Sequence, residues 1–205
     1  MKNFDSLNKN YDRIRSTGIL GWHVRKERKL AIKGLDVNKG DTILDAGCGS
    51  GVYSEIIKKS GGIPFGVDSS ENMIKEYRKK GMKGIVCRIE DISFKNKFDK
   101  LICAGALEFI EDSDSAVRAL HDSLKKNGII VVVYPRNNFF GILYKIYHLS
   151  RLSSMPYFLF KKNTGIKIKI FSKEKINKLF EMNKFKVIWN KKANVLTSVL
   201  VARKE

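Results

Sequence analysis

The chain has 205 residues, 43% of them hydrophobic, enough for one domain (residues 1–205) with a sizeable core. Its formal charge is +19, from 40 Lys and Arg against 21 Asp and Glu, so an anionic partner has to be weighed from the outset. The chain has no apolar run of about 18 residues, no signal-peptide core near Met1-Lys2-Asn3-Phe4-Asp5 and no metal-ligand or paired spacing among Cys48, Cys87 and Cys103, which disfavours a membrane span, a secreted disulfide scaffold and a metal centre and leaves a cytoplasmic protein as the expectation.

In residues 1–38, Tyr11-Asp12-Arg13-Ile14-Arg15 and Trp22 to Arg28 predict two short helices, an N-terminal helical cap. Thr42-Ile43-Leu44 then reads as a buried strand over 41–46, which ends in a turn with glycines at 47, 49 and 51 and leads into a helix over 52–60 carrying Val52, Tyr53, Ile56 and Ile57. A second strand over 63–67 ends at Asp68, and Ser69 and Ser70 cap a helix over 70–80 with Met73, Ile74 and Tyr77 on one face. Strands follow at 84–89, 99–104 and 128–134, with a helix over 113–126 that Asn127-Gly128 is expected to close. The apolar face of that helix is Val117, Leu120 and Leu124, which leaves His121 as a solvated surface residue. This alternation predicts a doubly wound parallel α/β sheet. Residues 139–165 form an apolar insertion after the fifth strand, with Phe139, Leu143, Ile146 and Tyr147 at helical spacing. A helix from Ser172 to about Asn183 and two short strands, 185–189 and 197–202, complete the chain as an antiparallel pair.

The glycine turn and the acid at the end of the second strand point to a nucleoside cofactor. A carboxylate there can accept from both hydroxyls of a ribose. A dinucleotide fingerprint needs Gly or Ala at position 52, where Val52 stands, and Asp45 suits a cationic ligand better than a pyrophosphate. S-adenosylmethionine, which carries a sulfonium and an ammonium, fits both observations.

Asp45-Ala46-Gly47-Cys48-Gly49-Ser50-Gly51, Gly66-Val67-Asp68-Ser69-Ser70-Glu71-Asn72-Met73, Glu90-Asp91-Ile92 and Phe98 to Phe109 together resemble the successive motifs of class I S-adenosylmethionine-dependent methyltransferases. The resemblance is strongest over residues 40–135 and closest to the broad ubiquinone and menaquinone biosynthesis group. It implies a mostly parallel seven-stranded Rossmann-like sheet with an antiparallel last strand, and S-adenosylmethionine as cofactor. It also implies that Asp45 and the backbone around Gly47 and Gly49 hold the amino acid part, Asp68 the ribose, and Asp91 with Ile92 the adenine, with Ala46, Cys48, Ser69 and Met73 also among the cofactor-binding residues. Ala104 and Gly105 would border the methyl group, and Tyr11 and Arg25 of the N-terminal cap would reach cofactor or acceptor.

The reaction expected is methyl transfer to a small-molecule acceptor with an apolar or lipid-like part; the 139–165 insertion reads as a helix packed into the domain core, as a lid over that acceptor or as a membrane-docking surface, and the last two can both hold. His148, His23 and Glu108 are the candidate bases; Glu108 stands where quinone-pathway relatives have Leu-Glu-His, with Phe109 replacing the histidine. From Lys145 onward, fifteen Lys or Arg face three acids, which makes the C-terminal third a candidate surface for an anionic partner, with peripheral contact with an anionic membrane among the expectations. An RNA methyltransferase is the alternative favoured by charge, although Cys103-Ala104-Gly105-Ala106 occupies the place of an Asn-Pro-Pro-Tyr motif. A non-catalytic S-adenosylmethionine-binding partner protein is the third reading.

Overall fold

The computed structural model describes residues 18–142 and 168–205, with the backbone alone for residues 18–23. Seven strands form one sheet: β1 (Thr42–Ala46), β2 (Ile63–Asp68), β3 (Lys83–Val86), β4 (Phe98–Ala104), β5 (Leu124–Pro135), β6 (Phe185–Lys192) and β7 (Thr197–Lys204). Their order is β3-β2-β1-β4-β5-β7-β6, parallel through β5, with β7 antiparallel to both β5 and β6. Around the sheet lie α1 (Gly18–Leu35), α2 (Val52–Lys59), α3 (Glu71–Lys79), α4 (Ser113–Ser123) and α5 (Lys173–Met182).

Strand β5 shows why the sheet is covered on both sides. Ile130, Val132 and Tyr134 face one layer, packed with Val117 and Leu120 of α4 and Ile176 and Phe180 of α5. Val131 and Val133 face the other, packed with Ala31 and Leu35 of α1 and Ile57 of α2. A period of two with apolar residues on both faces is what a strand between two helical layers requires.

Strands β6 and β7 run on to Lys192 and Lys204, past the expected 189 and 202, and three other boundaries differ from expectation. One continuous helix, α1, replaces the second short N-terminal helix and extends to Leu35, because Glu27, Ala31 and Leu35 form a single buried stripe at i, i+4 spacing; Tyr11 to Arg15 lies outside the described residues. Strand β3 stops at Val86, and Ile89–Asp91 is a 3₁₀ turn rather than strand. Helix α4 ends at Ser123 instead of 126: Leu124 adopts an extended backbone and pairs with Phe98, and Asn127, with φ 63, lies in an irregularity of β5 rather than at a helix end.

The insertion begins at the carboxyl end of β5 with a helical turn over 139–142. Arg136 and Phe171 form a β-bridge, with Asn137 N–H donating to the Phe171 carbonyl at 3.0 Å, so the excursion leaves and rejoins the fold at neighbouring points.

A glycine cradle above the buried acid Asp45

Sheet order reverses between β1 and β4, and the loops after these strands meet there. Beyond Ala46, the N–H groups of Gly47 and Cys48 both donate to the Val67 carbonyl, at 2.7 and 3.0 Å, which fastens the turn to the end of β2. Gly47 has φ +75, and a Cβ on it would lie 2.3 Å from the Ala106 Cβ, so the loop after β4 rests directly on this glycine. Gly49 has φ +52 and a Cβ there would enter open space; Gly105 has φ +68 and faces open space too, except for Glu108 Oε1 at 3.8 Å. Two left-handed backbone positions with free space before them let a ligand approach main-chain amides closely.

Asp68 ends β2. Its Oδ2 accepts from Gly49 N–H at 2.9 Å and its Oδ1 from Ser70 N–H at 2.9 Å, so the carboxylate is aimed from both oxygens. Ser70 also caps α3, accepting from Met73 N–H at 3.2 Å. The other sequence candidates are dispersed around this turn. Ser69 is exposed, Met73 and Ala104 are half-buried, and Ile92 is buried in the core. Asp91 is exposed and lies 3.7 Å from the Arg88 guanidinium. Arg25 is exposed on α1, whereas Tyr11, His148 and the side chain of His23 lie outside the described residues.

Asp45 and Cys48 turn inward. Cys48 Sγ packs with Ile74, Tyr77 and Met82, and burial pushes its thiol up, which leaves only its backbone for the cradle. Asp45 is 2% exposed beneath the glycine turn and accepts from Ser54 Oγ at 2.7 Å. Burial is the main reason its carboxyl is raised to about 7; the Ser54 hydrogen bond opposes this and the charge of Asp68 adds to it. Glu108 is 4% exposed beside Gly105, with its carbonyl accepting from Lys169 N–H at 2.8 Å.

Several residues of the site carry no signal in the sequence pattern. Ser54 lies within a helix read by its apolar positions, and Tyr77 reads as one more of them. Glu27 belongs to a charged run that reads as solvated, yet it is buried, accepting from Tyr53 Oη at 3.1 Å and Thr197 Oγ1 at 2.8 Å, and so joins α1, α2 and β7. His121 is a further correction. Its ring stands edge-on to Phe185 at 5.1 Å, with only 14% of the side chain exposed, because β6 folds back beside α4.

This arrangement has counterparts among known proteins. Residues 44–132 match the family described as a methyltransferase domain. A ubiquinone biosynthesis O-methyltransferase of Coxiella burnetii is 32% identical over 115 residues, which are 53% of this chain and 49% of that protein. The chain thus spans about half the length of the curated relatives it matches. Among solved structures, magnesium protoporphyrin IX methyltransferase from Synechocystis PCC 6803, with bound SAH, superposes with a TM-score of 0.71 at 19% identity over 98% of this chain and 97% of that one. The 1,6-didemethyltoxoflavin-N1-methyltransferase of Burkholderia thailandensis superposes at 0.68 with 16% identity, over 95% of this chain and 84% of that one.

Proposed function

With residues 44–132 forming a class I S-adenosylmethionine-dependent methyltransferase domain, we propose that the chain is an enzyme that methylates a small molecule with an apolar or lipid-like part. The observation that carries the cofactor assignment is the open space before Gly49 and Gly105, directly above a buried acid and beside the doubly held Asp68 carboxylate. When bound, the cofactor supplies a methyl group already activated on a sulfonium. The chain's own work is then to bind, align and exclude water. Gly49 leaves its main chain accessible, Asp68 receives the ribose hydroxyls, and Asp45, once ionised above about pH 7, places negative charge under the turn. Glu108, buried next to Gly105, is the candidate among the described residues for taking a proton from the acceptor.

An apolar acceptor is supported by the start of the insertion, where Phe139 is 74% exposed and Phe140 and Ile142 lie near half exposure at the carboxyl end of the sheet. Exposed Lys184, Lys186, Lys191, Lys192 and Arg203 on β6, β7 and the turn before them support contact with an anionic surface. No helix among the described residues is long and apolar enough to cross a membrane, so such contact would be peripheral. The relatives named above include methyltransferases of small molecules.

Calorimetric titration with S-adenosylmethionine and S-adenosylhomocysteine tests the cofactor assignment; absence of binding to both would sink it. Liposomes with and without anionic lipid, titrated beside bulk RNA at low and high salt, test the acceptor class. Binding to RNA alone would reverse the small-molecule assignment. Because Arg136 and Phe171 already hold the base of the excursion together, replacing 139–165 with a short Gly/Ser linker is expected to abolish turnover while cofactor affinity stays within a few-fold.

A further inference from the structure

Beneath the glycine turn, one aromatic side chain fills the space left by glycines on three separate segments. A Cβ on Gly51 would come within 2.8 Å of the Tyr77 ring, on Gly66 within 2.6 Å and on Gly84 within 3.2 Å. Tyr77 is fully buried, reaching from α3 across β3 and β2 toward the start of α2. There its hydroxyl lies 2.7 Å from Ser54 Oγ, and Ser54 Oγ donates to Asp45 Oδ2 at 2.7 Å. A serine hydroxyl has a single proton. When Asp45 is ionised that proton is committed to it, so the Tyr77 hydroxyl is then the donor to Ser54, and in this state the three groups form a directed chain from Tyr77 through Ser54 to Asp45.

We propose that Tyr77 is a positioning residue of the cofactor site, whose hydroxyl, acting through Ser54, holds the Asp45 carboxyl oriented beneath the glycine turn for the cationic part of S-adenosylmethionine. The inference rests on the cofactor assignment above. Hydrogen bonds in series polarise one another in a low-dielectric interior, so the phenol strengthens the Ser54 donation to Asp45. Burial pushes the Tyr77 phenol up, which keeps it a donor throughout the neutral range. The titratable groups facing Asp45 are Asp68 at the end of β2, the Cys48 thiol, the Cys103 thiol on β4 and Tyr77 itself. Among the described residues no cation joins them, and the Ser54 hydroxyl, the larger contribution, together with a backbone hydrogen bond of Ser54 opposes the burial and the repulsion from Asp68. The same side chain thus sets the backbone spacing of three glycine segments and aims the one acid enclosed under the turn.

Tyr77→Phe keeps the ring over the three glycines and removes only the donor. The Asp45 carboxyl, followed by carbon NMR in the ligand-free protein, should then titrate about one pH unit higher than in the wild type. S-adenosylmethionine should bind about five- to tenfold more weakly at pH 7, with the gap closing toward pH 8.5, where the carboxyl ionises in both proteins. Ser54→Ala should shift the titration further in the same direction. An unchanged Asp45 titration in Tyr77→Phe overturns the proposal, and so does an affinity loss that is equal at every pH, the mark of a merely structural effect. If the NMR shift occurs but the wild type binds no S-adenosylmethionine, the cofactor assignment itself has failed and the role in cofactor positioning falls with it.

Discussion

The two halves of the sheet differ in how far apart in sequence their working contacts lie. Around β1 to β3, the hydrogen bonds that shape the site join residues close along the chain: Asp45 and Ser54 are 9 apart, Gly49 and Asp68 are 19 apart, and Ser54 and Tyr77 are 23 apart. Around β5 to β7 they span 57 residues from Asn138 to Val195, 56 from Tyr134 to Asn190 and 170 from Glu27 to Thr197. The cofactor side is therefore built from short strand–turn–helix units that a contiguous segment can carry intact, and the family match over 44–132 covers it. The opposite side depends on the N-terminal helix and the C-terminal strands arriving together, and it is there that this chain's acceptor preference would be set.

The sharpest way to break this distinction is at Gly47. Gly47→Val forces a branched Cβ onto Ala106 in a left-handed conformation and is expected to cost about 3 kcal/mol of stability and to abolish cofactor binding. Gly49→Ala, with open space before it, should cost only about 1 kcal/mol in folding while still weakening the cofactor; equal losses in denaturant melts would remove the case for an open cradle. The next effect in size is a pH dependence. Between its ordinary value of 3.8 and about 7, the folded chain keeps on Asp45 a proton that the unfolded chain has lost. This contribution is full at acid pH and declines as pH rises to 7, by about 2–4 kcal/mol. Asp45→Asn should flatten that decline in urea melts taken from pH 4 to 8. Asp68→Ala should weaken S-adenosylmethionine binding by about 1 to 3 kcal/mol, since ribose hydroxyls lose their acceptor, and unchanged calorimetric affinity would remove Asp68 from the site. On the other side, Tyr134→Phe removes the 2.8 Å bond to Asn190 and should cost about 1 kcal/mol of stability with cofactor affinity unchanged within twofold. A larger change in affinity would show that the halves are coupled.

The same difference in contact range decides what can be read from residues alone. Strands β1, β2 and β4 and the acid at the end of β2 are legible because alternation, glycine turns and caps are local signals, whereas the antiparallel placing of the last strand follows from the family resemblance. The border between α4 and β5 is not: Leu124 follows Leu120 at helical spacing and is buried in the core, so the apolar pattern cannot tell whether its backbone turns or extends. Glu27 reads as part of a solvated charge run because its two hydroxyl partners lie on other elements. Tyr77 reads as an apolar-face residue because spacing reveals where a side chain points and nothing about which hydroxyl it meets.

Strand β7 is made after β6 yet sits inside it, between β6 and β5. Until residues 197–204 are in place, β5 has an open edge whose side chains include Ile130, Val131, Val132 and Val133. Such an edge readily recruits a strand from a neighbouring molecule. A chain cut before Thr197 should therefore be sticky as well as inactive, and the last strand acts as the chain's own guard against self-association.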